Sequence, residues 1–239
     1  MRYLVLADIH ANWEALQAVL EDARGDYDQV LNCGDLVGYG PDPELVTQWS
    51  LAHCRALVRG NHDKACAGQA DLEWFNPVAR ACITWTRRQL SAASLSFISS
   101  LPPGPICAGQ LELFHGAPWD EDEYLLEPDQ LARAARELRH PLGLFGHTHL
   151  QGAWLFRAGR LSKIPHNIIP LDSDSVFLVN PGSVGQPRDM DPRAAYALLD
   201  WDGRAVELRR VAYDVQRTMG KLLSAGLPAS LAARLRIGR

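Results

Sequence analysis

Five short clusters of Asp, His and Asn stand out in the 239-residue chain: Asp8-Ile9-His10, Gly34-Asp35-Leu36-Val37-Gly38, Gly60-Asn61-His62-Asp63, His115-Gly116 and Gly146-His147-Thr148-His149. Imidazole and carboxylate together suit transition metals such as Mn, Fe, Zn or Ni better than Mg or Ca. In an extended segment residues i and i+2 point the same way, so Asp8 and His10 can reach one ion, and His147 and His149 can do likewise. Glycines before Asp35, Asn61 and His147 let the backbone turn sharply beside a crowded site. Taken singly, each cluster has an ordinary explanation: a capping turn for Asp8 and His10, a plain turn at Gly34-Asp35, a left-handed loop residue at Asn61. Their joint occurrence is what points to metal chemistry.

The elements that must position these clusters follow from hydrophobic period and punctuation. Tyr3–Ala7, Gln29–Cys33, Ala56–Val58, Leu111–Phe114 and Leu142–Phe145 read as strands, and each gives way to one of the clusters. Asn12 is an N-cap for a helix carrying Trp13, Leu16, Val19, Leu20 and Ala23 at helical spacing. Pro43 opens a second helix through Ala52. Pro77–Leu101 reads as mostly helix, with Ala79, Ile83, Trp85 and Leu90 as its apolar stripe, and the Pro102-Pro103-Gly104-Pro105 run ends it. A helix over Asp129–Leu138 precedes the last cluster. Beyond it, strands follow one another closely at Ala153–Arg157, Arg160–Ile164, Val176–Val179, Ala195–Leu199 and Val206–Val211, with Ala158-Gly159 and Asp202-Gly203 as hairpin turns. A closing helix, Val215–Ala225, leaves a basic tail with Arg234, Arg236 and Arg239, expected to be a frayed, solvated end. The alternation of strand and helix in the first half is that of an α/β fold. In parallel sheets of such folds ligands bind outside the carboxyl ends of the strands, so the five clusters are expected on one rim.

Composition narrows the setting. Apolar residues make up 47% and charged residues 22%, an ordinary globular mix, and the net charge of −4 argues against a non-specific grip on nucleic acid. The start runs straight into a strand without the pattern of a signal peptide. No apolar run is long enough for a membrane span. Cys33, Cys54, Cys66, Cys82 and Cys107 form no CxxC pair, so reduced, buried thiols and a cytoplasmic location are expected.

In this order the five blocks resemble the signature of the calcineurin-like metallophosphoesterase superfamily: DxH, GDxxG, GNHD, a His block and GHTH. Asn180-Pro181-Gly182-Ser183 and the run Gly34–Pro43 further resemble its small bacterial and archaeal phosphodiesterase-like branch, whose sequences are related to diadenosine tetraphosphatases. Two departures are visible: Phe114 precedes His115 where many members carry Gly, and the second block ends in Gly38 rather than an acidic residue. The resemblance implies an αββα sandwich of two mixed β-sheets flanked by helices, one domain over residues 1–239, with residues 68–103 a candidate small helical cap. It implies two divalent transition-metal ions, manganese foremost, with Fe, Zn or Ni as alternatives. One would be held by Asp8, His10, Asp35 and His149, and the other by Asp35, Asn61, His115 and His147.

The activity so implied is hydrolysis of a small phosphodiester, phosphomonoester or nucleotide by a metal-bridging hydroxide. His62 lies beside the substrate in this scheme, as general acid or as a donor to phosphoryl oxygens. Asp63 is a catalytic candidate that orients His62 or a ligand, or else a backbone cap. Asn12, Tyr39 and Arg188 are candidate substrate contacts, and Asn180 shapes the rim. Two alternatives stay open: a nuclease, for which no basic track is evident, and a non-catalytic protein-binding scaffold like the retromer member of the branch.

Overall fold

The computed structural model describes residues 1–239. Twelve strands, numbered in chain order, form two six-stranded sheets. The first runs β3 (Cys54–Leu57), β2 (Gln29–Asn32), β1 (Arg2–Leu6), β11 (Ala194–Asp200), β12 (Ala205–Val211) and β9 (Ile168–Pro170). The second runs β4 (Ile106–Cys107), β5 (Leu111–Leu113), β6 (Leu142–Leu144), β10 (Val176–Asn180), β7 (Gly152–Arg157) and β8 (Arg160–Ile164). Each has a parallel trio, β1-β2-β3 and β5-β6-β10, and the remaining pairs are antiparallel. The late strands are therefore shared between both sheets.

Alternation along each strand assembles the layers. In β1, Val5 faces inward with Leu31, Leu113, Leu144 and Val179, and these pack the two sheets together. Leu4 and Leu6 face outward onto Leu16 and Val19 of α1 (Trp13–Asp22) and Val46 of α2 (Pro43–His53). On the other outer face Leu178 meets Leu131, Ala134 and Ala135 of α6 (Pro128–Glu137). This is the αββα sandwich of two mixed sheets flanked by helices. Phe114, the departure before His115, stacks on Phe145 with ring centroids 5.8 Å apart, so a packing demand accounts for that residue. No helix is long and apolar enough to cross a membrane.

Several expectations need correction. The long helix ahead of Pro102 is two helices, α4 (Pro77–Gln89) and α5 (Ala92–Ser100). Leu90 is extended between them, and Ser91 Oγ accepts from Ser94 N at 3.1 Å. Such a cap contributes about 1 kcal/mol and makes the break stable. A six-residue helix, α3 (Asn61–Cys66), follows the third cluster, too short and polar for periodicity to show. The basic tail is not a frayed end. After α7 (Val215–Ser224), Ala229–Leu235 forms α8, which buries Leu231, Ala232 and Leu235 in one cluster with Tyr39, Ala79 and Cys82. All five cysteines are free, yet only Cys33, Cys66 and Cys82 are buried; Cys107 is exposed.

Candidate metal centre

The carboxyl ends of the two parallel trios meet, and the five clusters converge there. Asp8, His10, Asp35 and His149 form one buried group whose ligand atoms all lie within 4.8 Å of one another; Asp35, His115 and His147 form a second. Asn61 joins the second group, its Oδ1 lying 3.3 Å from His115 Nε2. Asp35 is common to both. One detail differs from the sequence expectation. His147 and His149 divide between the two groups, and neither is extended: φ is +67° and +59°. Asp8 and His10 are likewise left-handed, at +52° and +47°, although they do share one group. The backbone here is held in a conformation that costs roughly 1–2 kcal/mol per non-glycine residue, so the i, i+2 argument reached the right pair in one case for the wrong reason.

Hydrogen bonds at the rear of each ring decide what its front can do. His10 Nδ1 lies 3.0 Å from Val37 O, His149 Nδ1 2.6 Å from Gln186 O, His115 Nδ1 2.8 Å from Cys33 O, and His147 Nε2 3.1 Å from Asp122 O. A carbonyl only accepts, so each of these nitrogens carries its hydrogen and the other nitrogen of a neutral ring presents a lone pair. His10 Nε2 and His149 Nε2 are 3.0 Å apart, two acceptors facing each other. Asp35 Oδ2 lies 3.5 Å from His10 Nε2 and 3.4 Å from His115 Nε2. Such a nest of lone pairs could hold a cation between them. An N/O donor set with four imidazoles can bind divalent metal ions, and backbone carbonyls behind the rings are the usual orienting partners of ligating His.

The titration of His10, His147 and His149 agrees, and His115 differs. Burial holds His10 and His149 well below the usual histidine range, and burial with the neighbouring His115 lowers His147 to about 3. Burial opposes charge on His115 as well, but the Asp35 and Asp8 carboxylates outweigh it and raise that ring to about 10. Burial pushes Asp8 up to about 7, while Asp35, despite its burial, is held well below the usual range by His115 and His62. The two carboxylates thus favour a positive charge beside them, here a proton on His115.

The remaining candidates occupy distinct places. His62 is buried, its ring centroid 5.0 Å from His10 and 4.3 Å from Tyr39, and its Nδ1 has no partner. Burial lowers it to about 4, so it is uncharged near neutrality. Its backbone N–H donates to Asp35 Oδ1 at 2.9 Å. Gly38, at φ +87°, is where a Cβ would overlap His62 Nδ1. Asp63 points away from the His62 ring: Oδ1 accepts from Val37 N at 3.2 Å and Oδ2 from Gly60 N at 3.0 Å. It therefore ties the second cluster to the third, the backbone-cap alternative. Asn12 is the N-cap of α1, with Oδ1 accepting from Ala15 N and Nδ2 donating to Gly185 O and Tyr213 Oη. Tyr39 is buried at φ +60°, with the Arg188 guanidinium carbon 5.9 Å above its ring. Arg188 Nε is buried without a partner. Asn180 Nδ2 donates to Gly146 O at 2.9 Å and Thr148 Oγ1 at 3.0 Å, which holds the fifth cluster in place.

Some participants escaped the sequence reading. Gln186 and Asp122 act through backbone carbonyls, which carry no side-chain signature. Tyr124 stacks on His147 at 3.8 Å, and Trp74 and Phe75 line a groove leading from His62. The aromatic pair ahead of Asn76-Pro77 was the available signal. Arg234 of α8, expected in a solvated tail, is half-buried; burial and then the charge of Arg188 lower it.

With this geometry in hand, comparison with known proteins is decisive. A family model described as the calcineurin-like phosphoesterase superfamily domain matches residues 1–204. The chain belongs to that superfamily. The family uses divalent metal ions, and the two donor groups found here are able to bind such ions. An uncharacterized protein of Methanocaldococcus jannaschii, MJ0912, is 35% identical, covering 98% of this chain and 97% of its own length. The crystal structure of a metallophosphoesterase from Sphaerobacter thermophilus superposes with a TM-score of 0.88 at 38% identity, covering 100% of this chain and 99% of that one. Hypothetical protein PH1004 from Pyrococcus horikoshii OT3 shares the fold, with a TM-score of 0.77 at 21% identity over 100% of this chain and 98% of that one. In this calcineurin-like chain α7 and α8 lie beyond the matched residues, yet α8 packs directly on Tyr39.

Proposed function

We propose that this phosphoesterase hydrolyses a small phosphate ester or nucleotide at a pair of divalent transition-metal ions, manganese foremost. The observation that carries the proposal is the approach of His10 Nε2 to His149 Nε2 at 3.0 Å while both Nδ1 atoms are committed to carbonyls, beside a second donor group sharing Asp35. Asp8, His10, Asp35 and His149 would hold one ion, and Asp35, Asn61, His115 and His147 the other. When bound, such a pair supplies activated water and positive charge for the phosphoryl oxygens.

The residues around the ions have separate tasks. His62, uncharged and anchored through Asp35, donates a hydrogen bond to a phosphoryl or leaving-group oxygen. Asp63 positions Gly60 and Val37 and so acts on His62 and Asn61 indirectly. Arg188 and Tyr39 contact the substrate's anionic end, Arg188 by its guanidinium fork; Asn12 positions the first cluster through α1. Residues 68–103 would serve as a helical cap on a single domain, a reading supported by the Trp74-Phe75 turn and α4 residues that border the groove at His62. A cytoplasmic setting fits five unpaired thiols.

Turnover of an aryl phosphodiester in the presence of Mn tests the proposal. It should disappear with chelator and return with added metal. Asp35→Asn should lose both ions, measured as metal per protein, together with at least a 10³-fold loss of turnover. Metal-independent hydrolysis would refute the mechanism. Tight metal binding with no turnover across mono- and diesters would favour the scaffold alternative.

A further inference from the structure

The groove beside His62 is larger than the metal donors require. It is a half-open groove of about 280 Å³, against the roughly 10–15 Å³ that one water needs on the same measure. Its walls are rings. Phe75 packs edge-on to His62 at 5.4 Å, Tyr124 stacks on His147 at 3.8 Å, and Trp74 stands at the mouth with 85% of its surface exposed. An indole so exposed gains little from burial within its own chain, and a flat ligand laid against it would remove that surface from water.

The polar groups of the groove define what such a ligand carries. Asp71 and Asp122 line it and no Lys or Arg does. Asp122 is neutralised by Lys64 at 2.7 Å. Asp71 uses Oδ1 to cap Glu73 N and retains carboxylate acceptor capacity, while Asn76 uses its Oδ1 on Ala79 N and keeps Nδ2 as a donor. One acceptor and one donor beside stacked rings suit a flat, neutral heterocycle with both kinds of hydrogen-bonding edge. They do not suit a second phosphate or a nucleic-acid backbone, which need cations.

Resting on the phosphoesterase reading above, we propose that this groove binds the base of a nucleoside whose phosphate ester lies at the metal-donor end, with Trp74 and Phe75 as its stacking surface. The substrate is then a mononucleotide-type ester rather than a sugar or alkyl phosphate. Base–aromatic stacking contributes about 1–3 kcal/mol per base, or roughly 5- to 150-fold in affinity.

The test is equilibrium binding, to the zinc-loaded full chain, of AMP against ribose 5-phosphate, both as methylenephosphonate analogues that cannot be hydrolysed, with saturation-transfer NMR to locate the contacts on the adenine ring. The AMP analogue should bind at least about 5-fold more tightly, with adenine H2 and H8 receiving magnetisation. Trp74→Ala, a change at an exposed position, should narrow that gap several-fold, and Phe75→Ala should narrow it further. Equal affinities in the unmodified protein, or a preference that survives both substitutions, would overturn the proposal. Failure here is separable from failure of the esterase reading. Selective AMP binding by a protein that hydrolyses nothing with Mn leaves the groove standing and removes the esterase. Equal binding and equal kcat/KM on AMP and ribose 5-phosphate does the reverse.

Discussion

Left-handed backbone occurs at both ends of the sandwich, and the two ends handle it differently. Away from the donor groups, Ala158 and Arg204 take φ of +48° and +52° in hairpin turns, and both are exposed. At the rim, Asp8, His10, Ala11, Asp35, Tyr39, His147 and His149 adopt the same region while buried. A turn residue on the surface can leave its polar groups to water. A buried one cannot, so the rim needs a partner for every such group: Asp8 accepts from His147 N at 3.1 Å, Asp35 from His62 N, and Asp63 from Val37 N and Gly60 N. Strain concentrated in a buried, polar, over-determined region is the mark of a site that is held ready rather than assembled on demand.

The comparison can be broken first at His62, whose geometry exists only because of the rim. His62→Ala should lower turnover by about 10²–10⁴-fold while leaving the metal content near that of the unmodified protein. Concurrent loss of metal would move His62 from substrate contact to ligand support and remove the division of labour argued above.

A pair of glycine substitutions sharpens the contrast between the two ends. At Gly159, φ is +78° and a Cβ would meet nothing within 4 Å. Gly159→Ala should therefore cost about 1–2 kcal/mol of stability and leave turnover unchanged. Gly38→Ala carries the same backbone penalty but must also displace the His62 ring, and a displacement near 1 Å costs on the order of 10²-fold in rate. Turnover per folded molecule, with thermal midpoints for both variants, checks this. Equal activity in the two would show that the rim tolerates motion.

Asp63 tests whether a buried carboxylate at the rim acts on the chemistry or on the backbone. Asp63→Asn puts an NH₂ group against one of two backbone N–H donors, which should cost about 1–3 kcal/mol. If Asp63 positions the loops, the thermal midpoint falls and the bell of the pH–rate profile stays in place. A shifted profile with unchanged stability would make it a titrating participant.

How much of this was legible beforehand follows the same contrast. Metal donors must be Asp, His or Asn whatever the backbone does, so Asp8, His10, Asp35, Asn61, His115, His147 and His149 were visible as letters. The strands were visible because Val5 and Leu4 must face opposite layers. The backbone at the rim was not. Its left-handed φ angles are imposed by contacts between residues more than a hundred positions apart, such as Asp8 with His147, and no local pattern encodes them. Nor was α8, because seven residues with three buried apolar side chains resemble a tail until Tyr39 and Ala79 supply the surface on which they pack. Trp74 and Phe75 are illegible for a related reason: an aromatic pair in a loop gains meaning only once His62 is known to lie beside it.

The smallest effect lies where the rim meets the tail. Asp191 accepts from Arg193 Nε at 3.0 Å, in the loop that carries Arg188, and Met190 N donates to Gly238 O at 2.8 Å, so this turn fastens that loop to the end of α8. Hydrogen bonds from Arg193 lower Asp191 to about 2. A carboxyl depressed in the folded state contributes stability above its unfolded value near 3.9, and that contribution is lost as pH falls through about 2. Because Arg193 is half exposed, the pair is worth less than about 1 kcal/mol. Asp191→Asn should thus lower the urea midpoint slightly at pH 7, with the difference from the unmodified protein shrinking between pH 4 and about pH 2. A difference that persists undiminished at pH 2 would mean the turn is held by its backbone contacts to Gly238 instead, and the tail, not the ion pair, would be what keeps Arg188 over Tyr39.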